Sequence, residues 1–171
     1  MAQIRKLRSR MPRLAAIAIL CLTALPARAE FWELPEVLAE GRFPSFFAAE
    51  AGPLLIWQES KASGETGAAT IRFARFEGGV WTKGRVSDSS YAYSSAGSPP
   101  ILYSAAQAKD GSIAVAIAAS GTSIEIWLSR DGGRSFVAAG NLESSATVVA
   151  PRIYSSVSGG WMVFAGQGKP V

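Results

Sequence analysis

Ser129-Arg130-Asp131-Gly132-Gly133-Arg134-Ser135-Phe136 is a loop that braces itself. Short hydroxyl and carboxylate side chains at Ser129, Asp131 and Ser135 are spaced to bond backbone groups of their own turn. Gly133 supplies a backbone conformation that is costly for other residues. Phe136 then returns an aromatic ring toward the core. The residues before it alternate, with Ile124, Ile126 and Leu128 set against Glu125, Trp127 and Ser129, which is strand period. The stretch therefore predicts a β-hairpin turn in a strand-rich protein.

Working outward, the same pattern recurs. With a shift of 55 positions and no gap, Pro44 falls on Pro99, Ile71 on Ile126, Phe73 on Leu128, Gly78 on Gly133 and Trp81 on Phe136. Ala69, Ile71 and Phe73 alternate with Thr70, Arg72 and Ala74 in the register of the later copy. A third copy opens at Ala150-Pro151-Arg152-Ile153-Tyr154 and runs through Gly159-Gly160-Trp161-Met162-Val163-Phe164. Ser112 to Ala119 is apolar nearly throughout, as expected of a strand buried on both faces. Turn signals divide the copies at Ala51-Gly52-Pro53, Glu77-Gly78-Gly79, Lys109-Asp110-Gly111 and Asp131-Gly132-Gly133. Four short strands every ~50 residues fit the blade of a β-propeller. A short helix is expected only near Leu34 to Leu38.

Ser129 to Phe136 matches the Asp-box at every defined position, and Asp-boxes on propeller blades resemble those of the sialidase (BNR-repeat) superfamily. The first copy keeps only Gly78 and Trp81, with Ala74 and Phe76 in place of Ser and Asp. A second motif is similar to the Arg-Ile-Pro stretch of the sialidases' first blade: Gly41-Arg42-Phe43-Pro44, then Ser45-Phe46-Phe47 and Gly52-Pro53-Leu54-Leu55-Ile56-Trp57. The resemblance implies an all-β, sialidase-like propeller. About two and a half four-stranded blades of a presumed six are expected, near 42–87, 97–142 and 150–171. It also implies that Arg42 is the first of the arginines that clamp the sialic-acid carboxylate, for which a planar guanidinium fork is well suited. The competing reading is a solvated arginine before a strand. Lys61 stands where the family tends to carry a further arginine, in Glu59-Ser60-Lys61. Glu65 occupies the loop where the family's general acid/base is an aspartate, and its extra methylene would misplace the carboxyl. Asp88 is a weaker substitute.

Two roles are open to Asp131, a catalytic acid and a turn brace; its own turn needs the side chain, which favours the brace. Trp57, Trp81, Trp127 and Trp161 sit at strand or turn positions suited to core packing. Tyr91 and Tyr93, in the Ser-rich connection Ser87 to Ser98, read as an exposed pair and as the first choice for a ligand contact outside the arginine site. The four tyrosines fall too early in the repeat order to be the family's nucleophile.

Residues 1–29 hold six of the 17 basic residues and no acidic one. A basic head, the apolar run Leu14 to Leu25 and the exit Ala27-Arg28-Ala29 predict a secretory signal peptide cleaved near Ala29. Cys21 would suit a lipoprotein anchor, but the large Leu20 before it argues against one. The remaining 142 residues carry 11 basic and 13 acidic side chains, a formal charge of −2 against +4 for the whole chain. No cluster of cations remains to bind nucleic acid. They also hold no cysteine and no histidine, which excludes a disulfide, a thiolate nucleophile, a Ser-His pair and a His-ligated metal. No cofactor and no metal are expected.

The expected protein is thus exported, periplasmic or secreted, and sialidase-like. Three functions are open: a non-catalytic or truncated chain recognising a sialylated or acidic glycan, a portion of an exo-α-sialidase, and an extracellular interaction scaffold. Open blade edges would favour self-association or a missing C-terminal half.

Overall fold

The protein is described from a computed structural model, which covers residues 40–49, 52–63, 66–94 and 100–167. The expected signal peptide, the Leu34 to Leu38 helix and Glu65 lie outside the described residues. Every regular element among the described residues is a strand.

Among the described residues, three antiparallel sheets follow one another along the chain. The first is a meander of β1 (Arg42–Ala49), β2 (Gly52–Ser63), β3 (Thr66–Glu77) and β4 (Val80–Arg85). The second repeats it with β6 (Tyr103–Gln107), β7 (Ile113–Ser120), β8 (Ser123–Ser129) and β9 (Val137–Glu143). The third contains β10 (Val148–Ser155) and β11 (Trp161–Gln167). The alternation of Ala69, Ile71 and Phe73 in β3, and of Ile124, Ile126 and Leu128 in β8, faces each strand's apolar set toward the neighbouring sheet. Ile113 to Ile117 is wholly buried, the double-faced strand its apolar run required.

The connection Ser87 to Ser98 differs from its expected loop. It contains β5 (Tyr91–Ser94), which pairs with the first residues of β3 on the edge that β4 occupies further along. β4 and β5 therefore run in one direction along β3, interrupted by Val86 to Ser90, with the Val86 N–H donating to Ile71 O at 2.9 Å. The apolar positions at Tyr91 and Tyr93 explain the strand: their two-residue spacing puts both rings on one face.

The turns follow their chemistry. Glu77 and Val80 pair across Gly78 and Gly79, whose φ of 60° and 84° suit a two-residue hairpin. Among the described residues, two non-glycine residues also have left-handed backbones, Phe43 at φ 55° and Ala150 at φ 45°. Each precedes a proline, where the chain is ordinarily extended, and each sits at a register shift in the first strand of its sheet. A conformation of this kind costs of order 1–3 kcal/mol and persists only where its surroundings hold it.

Neighbouring sheets are joined by buried polar contacts as well as apolar ones. Gln58 on β2 is fully buried; its amide donates to Pro100 O at 3.0 Å and its oxygen accepts the Leu102 N–H at 3.0 Å. Phe73 of the first sheet meets Phe136, in the turn just before β9 of the second, with ring centroids 5.3 Å apart. Between the second and third sheets, the Ile153 N–H donates to Ser104 Oγ at 3.3 Å and Ser155 Oγ donates to Gln107 O at 3.1 Å.

Candidate functional site

Arg42 opens β1. Its side chain is exposed and has no ion partner among the described residues. Its backbone lies opposite Gln58 of β2. Directly opposed residues share a face of the sheet, and Lys61 is three positions beyond Gln58, which turns it to the other face. The pleat thus separates the two expected carboxylate-binding cations by roughly 10 Å along the strand and by the thickness of the sheet. Lys61 is exposed and stands on the face of Glu59. Glu59 is itself bound by the Arg72 guanidinium, with Nε donating to Oε2 at 2.7 Å, and this hydrogen bond lowers the Glu59 pKa against the opposing effect of burial. Arg42 and Lys61 do not form one clamp.

Tyr91 and Tyr93 correct the expectation most clearly. Tyr91 is 2% exposed and Tyr93 8%, so neither ring is open to a ligand. The Tyr93 ring lies against Gly67, where an added Cβ would stand 2.3 Å from it. The Tyr91 hydroxyl donates to Glu125 Oε2 at 2.7 Å and lies 2.5 Å from Ser87 Oγ. Trp127 Nε1 donates to the same Glu125 oxygen at 3.0 Å. Burial foremost, and then Glu125, pushes the Tyr91 hydroxyl up, away from the phenolate. The pair ties β5 to β8 and is closed to substrate.

The Ser129–Phe136 turn assembles as the chemistry of its side chains demands. Asp131 Oδ1 accepts the Arg134 and Ser135 N–H groups at 2.9 and 3.0 Å and the Ser129 hydroxyl at 2.7 Å. Its Oδ2 accepts the Ser135 hydroxyl at 2.6 Å, and Ser129 Oγ in turn accepts the Gly133 N–H at 2.8 Å. Burial opposes ionisation of Asp131, but the bonds from Ser135, Ser129 and Arg134 outweigh it and hold the carboxyl down at about 2. A carboxyl this acidic and this committed is a brace, not a proton donor near neutrality. Gly133 is positive in φ at 86° and packs on Leu54 of the first sheet, so a side chain fails there twice over. Arg134 reaches Glu77 at the tip of the β3–β4 hairpin, and Arg75 binds the same carboxylate. The hydrogen bonds from Arg75 and then Arg134 hold Glu77 at about 2. The Ser129–Phe136 turn is therefore an inter-sheet fastener at the Leu54–Glu77 end of the first sheet. Arg42 is opposite Gln58, four residues further along β2 and roughly 13 Å away at ~3.3 Å per residue.

Of the remaining candidates, Asp88 is exposed in the Val86 to Ser90 excursion. Trp57 is buried beneath Gly41, whereas Trp81, Trp127 and Trp161 are half-buried, with the Trp81 ring tilted against Phe76 at 5.2 Å between centroids. Among the described residues no group of three or more acidic, histidine or cysteine side chains is placed to hold a metal ion.

Two residues that the sequence did not single out belong with Arg42. Gln58 is its cross-strand partner. Tyr103, on β6, sends its hydroxyl across the sheet interface, 2.8 Å from Ile56 O and in hydrogen-bond contact with Phe43 O, with Ser45 Oγ at 3.3 Å. Burial pushes this hydroxyl up to about 12, so it is a permanent donor. The available signal was a polar Gln58 directly after the apolar run Leu54 to Trp57, at the alternate position that continues Leu54 and Ile56. Nothing local marks Tyr103.

Comparison with protein-family models, with curated proteins and with solved structures finds no match to this chain.

Proposed function

We propose that this chain is an exported, sialidase-like BNR-repeat protein, part of a β-propeller that recognises a sialylated or otherwise acidic glycan without hydrolysing it. One observation carries the proposal: Arg42 is exposed and unpaired among the described residues, at the start of a strand whose backbone is bulged beside it. A free guanidinium fork on a rigid sheet is a receptor for a planar carboxylate. The repeated meanders and the braced Asp-box turn agree with the propeller resemblance. The non-catalytic part rests on the fate of the other groups. Asp131 is consumed by its own turn, Tyr91 is buried and protonated, and Lys61 is on the other face of the sheet.

The test is titration of the chain with the methyl α-glycoside of N-acetylneuraminic acid, beside Arg42→Ala. Binding that disappears in the variant, with no release of fluorophore from a fluorogenic sialoside, supports the proposal. Turnover lost in Arg42→Ala would replace it with the sialidase reading. The scaffold reading is favoured by a separate observation: Tyr154, Met162 and Phe164 expose 50, 47 and 57% of their surface on one face of the third sheet. It becomes the conclusion if no glycan binds.

A further inference from the structure

We infer that Tyr103 is a positioning residue for Arg42: by holding the Phe43 bulge from the neighbouring sheet, it decides which face of the first sheet the guanidinium occupies. The inference rests on the proposal that Arg42 takes the ligand's acid group.

The register contains the argument. From Ala49–Gly52 back to Ser45–Ile56 the β1–β2 ladder is regular, each step on one strand matched by one on the other. Continued unbroken, it would set Arg42 opposite Glu59. The bulge removes one step and sets Arg42 opposite Gln58 instead. A one-residue change of register moves a side chain to the other face. On the Glu59 side, Arg42 would join a face that already has Lys61, Arg72 and the Glu59 carboxylate, where an ion pair would compete with any ligand. On the Gln58 side, no described carboxylate pairs with it.

The bulge does not hold itself. Phe43 is a bulky residue at φ 55° immediately before Pro44, where an extended backbone is preferred. Its carbonyl is met by the Tyr103 hydroxyl, which also lies 2.8 Å from Ile56 O. That single proton serves either carbonyl, one on each side of the bulge, and Tyr103 is only 2% exposed, so water does not replace it. Without the hydroxyl, the strained register loses its inter-sheet donor and the regular ladder gains population. Affinity then falls with the fraction of molecules in the competent register.

The experiment is Tyr103→Phe in the full chain, which keeps the ring and removes only the hydroxyl. Two readouts are taken at a temperature where thermal unfolding shows both proteins folded. Titration with the methyl α-glycoside of N-acetylneuraminic acid is expected to show binding about five- to tenfold weaker than wild type. Cross-strand NMR contacts of Arg42 are expected to move in part from Gln58 to Glu59, and a stabilising role alone would leave that register unchanged in the folded variant. Wild-type affinity in Tyr103→Phe overturns the inference and leaves the role of Arg42 intact. If the wild-type chain binds no sialoside, the proposed function fails, and the register decides alone: an unmoved Arg42–Gln58 contact overturns the role of Tyr103.

Discussion

Replacing Asp131 with alanine should destabilise the fold by about 2 kcal/mol at pH 7 and by much less in acid. Asp131 accepts four hydrogen bonds within its loop, two from backbone N–H groups and two from serine hydroxyls. A carboxyl at about 2 against an ordinary 3.8 favours the folded chain by at most ~2.5 kcal/mol. The loop is partly wet, and solvent screening reduces this to ~1–2 kcal/mol. The freed Arg134 and Ser135 N–H groups face water and are rehydrated, so the additional loss is small. The sign follows from the direction of the shift. A lowered carboxyl contributes fully above its unfolded value near 3.8 and loses the contribution as pH falls through about 2. Urea unfolding of the two proteins between pH 7 and pH 2 should therefore show a gap that is constant above about pH 4.5 and narrows by half or more at the acid end. Comparing two proteins cancels the titration of every other carboxylate. Equal midpoints at pH 7, or a gap that does not narrow, would refute the brace.

Gln58→Ala should cost ~2–4 kcal/mol in thermal or urea unfolding, since it opens a cavity and orphans the buried Leu102 N–H; a loss under ~0.5 kcal/mol would contradict its role between the sheets. Glu77→Gln should make the unfolding midpoint less sensitive to salt and to acid. The Arg134 contact is exposed and screened, whereas Arg75 is buried and reaches out to the exposed Glu77; the wild-type contribution is present above the ordinary 4.5 and lost as pH falls through about 2. An unchanged salt and pH response would show that the contacts carry no weight.

The sheets were legible because their signals are local. Strand period in Ala69 to Phe73 and Ile124 to Leu128, the apolar run at Ile113 to Ile117 and the Gly-Gly turns are each set by residues within a few positions. The self-bracing turn at Ser129 to Phe136 was legible for the same reason: the partners that brace it lie inside eight residues. What failed depended on distance. Tyr91 and Tyr93 looked exposed because serines surround them, yet an alternating pair is equally an edge strand: the Tyr93 ring meets Gly67 of β3, and Tyr91 reaches Glu125 of β8, more than 30 residues away. Arg42 and Lys61 were joined by family order, while the pleat and a bulge separate them. Tyr103 and Gln58 act across the sheet interface, and no sequence window contains both ends of their contacts.

Calorimetric or NMR titration of wild type and Arg42→Ala with the methyl α-glycoside of N-acetylneuraminic acid tests the central claim most directly. One charge-assisted guanidinium–carboxylate pair with a few sugar contacts predicts a Kd of about a millimolar for the wild type, ~4 kcal/mol of binding. Arg42→Ala should leave folding stability within ~0.5 kcal/mol, as an exposed side chain should, and abolish the binding. A wild type that does not bind, or an Arg42→Ala variant that binds equally well, would contradict the account.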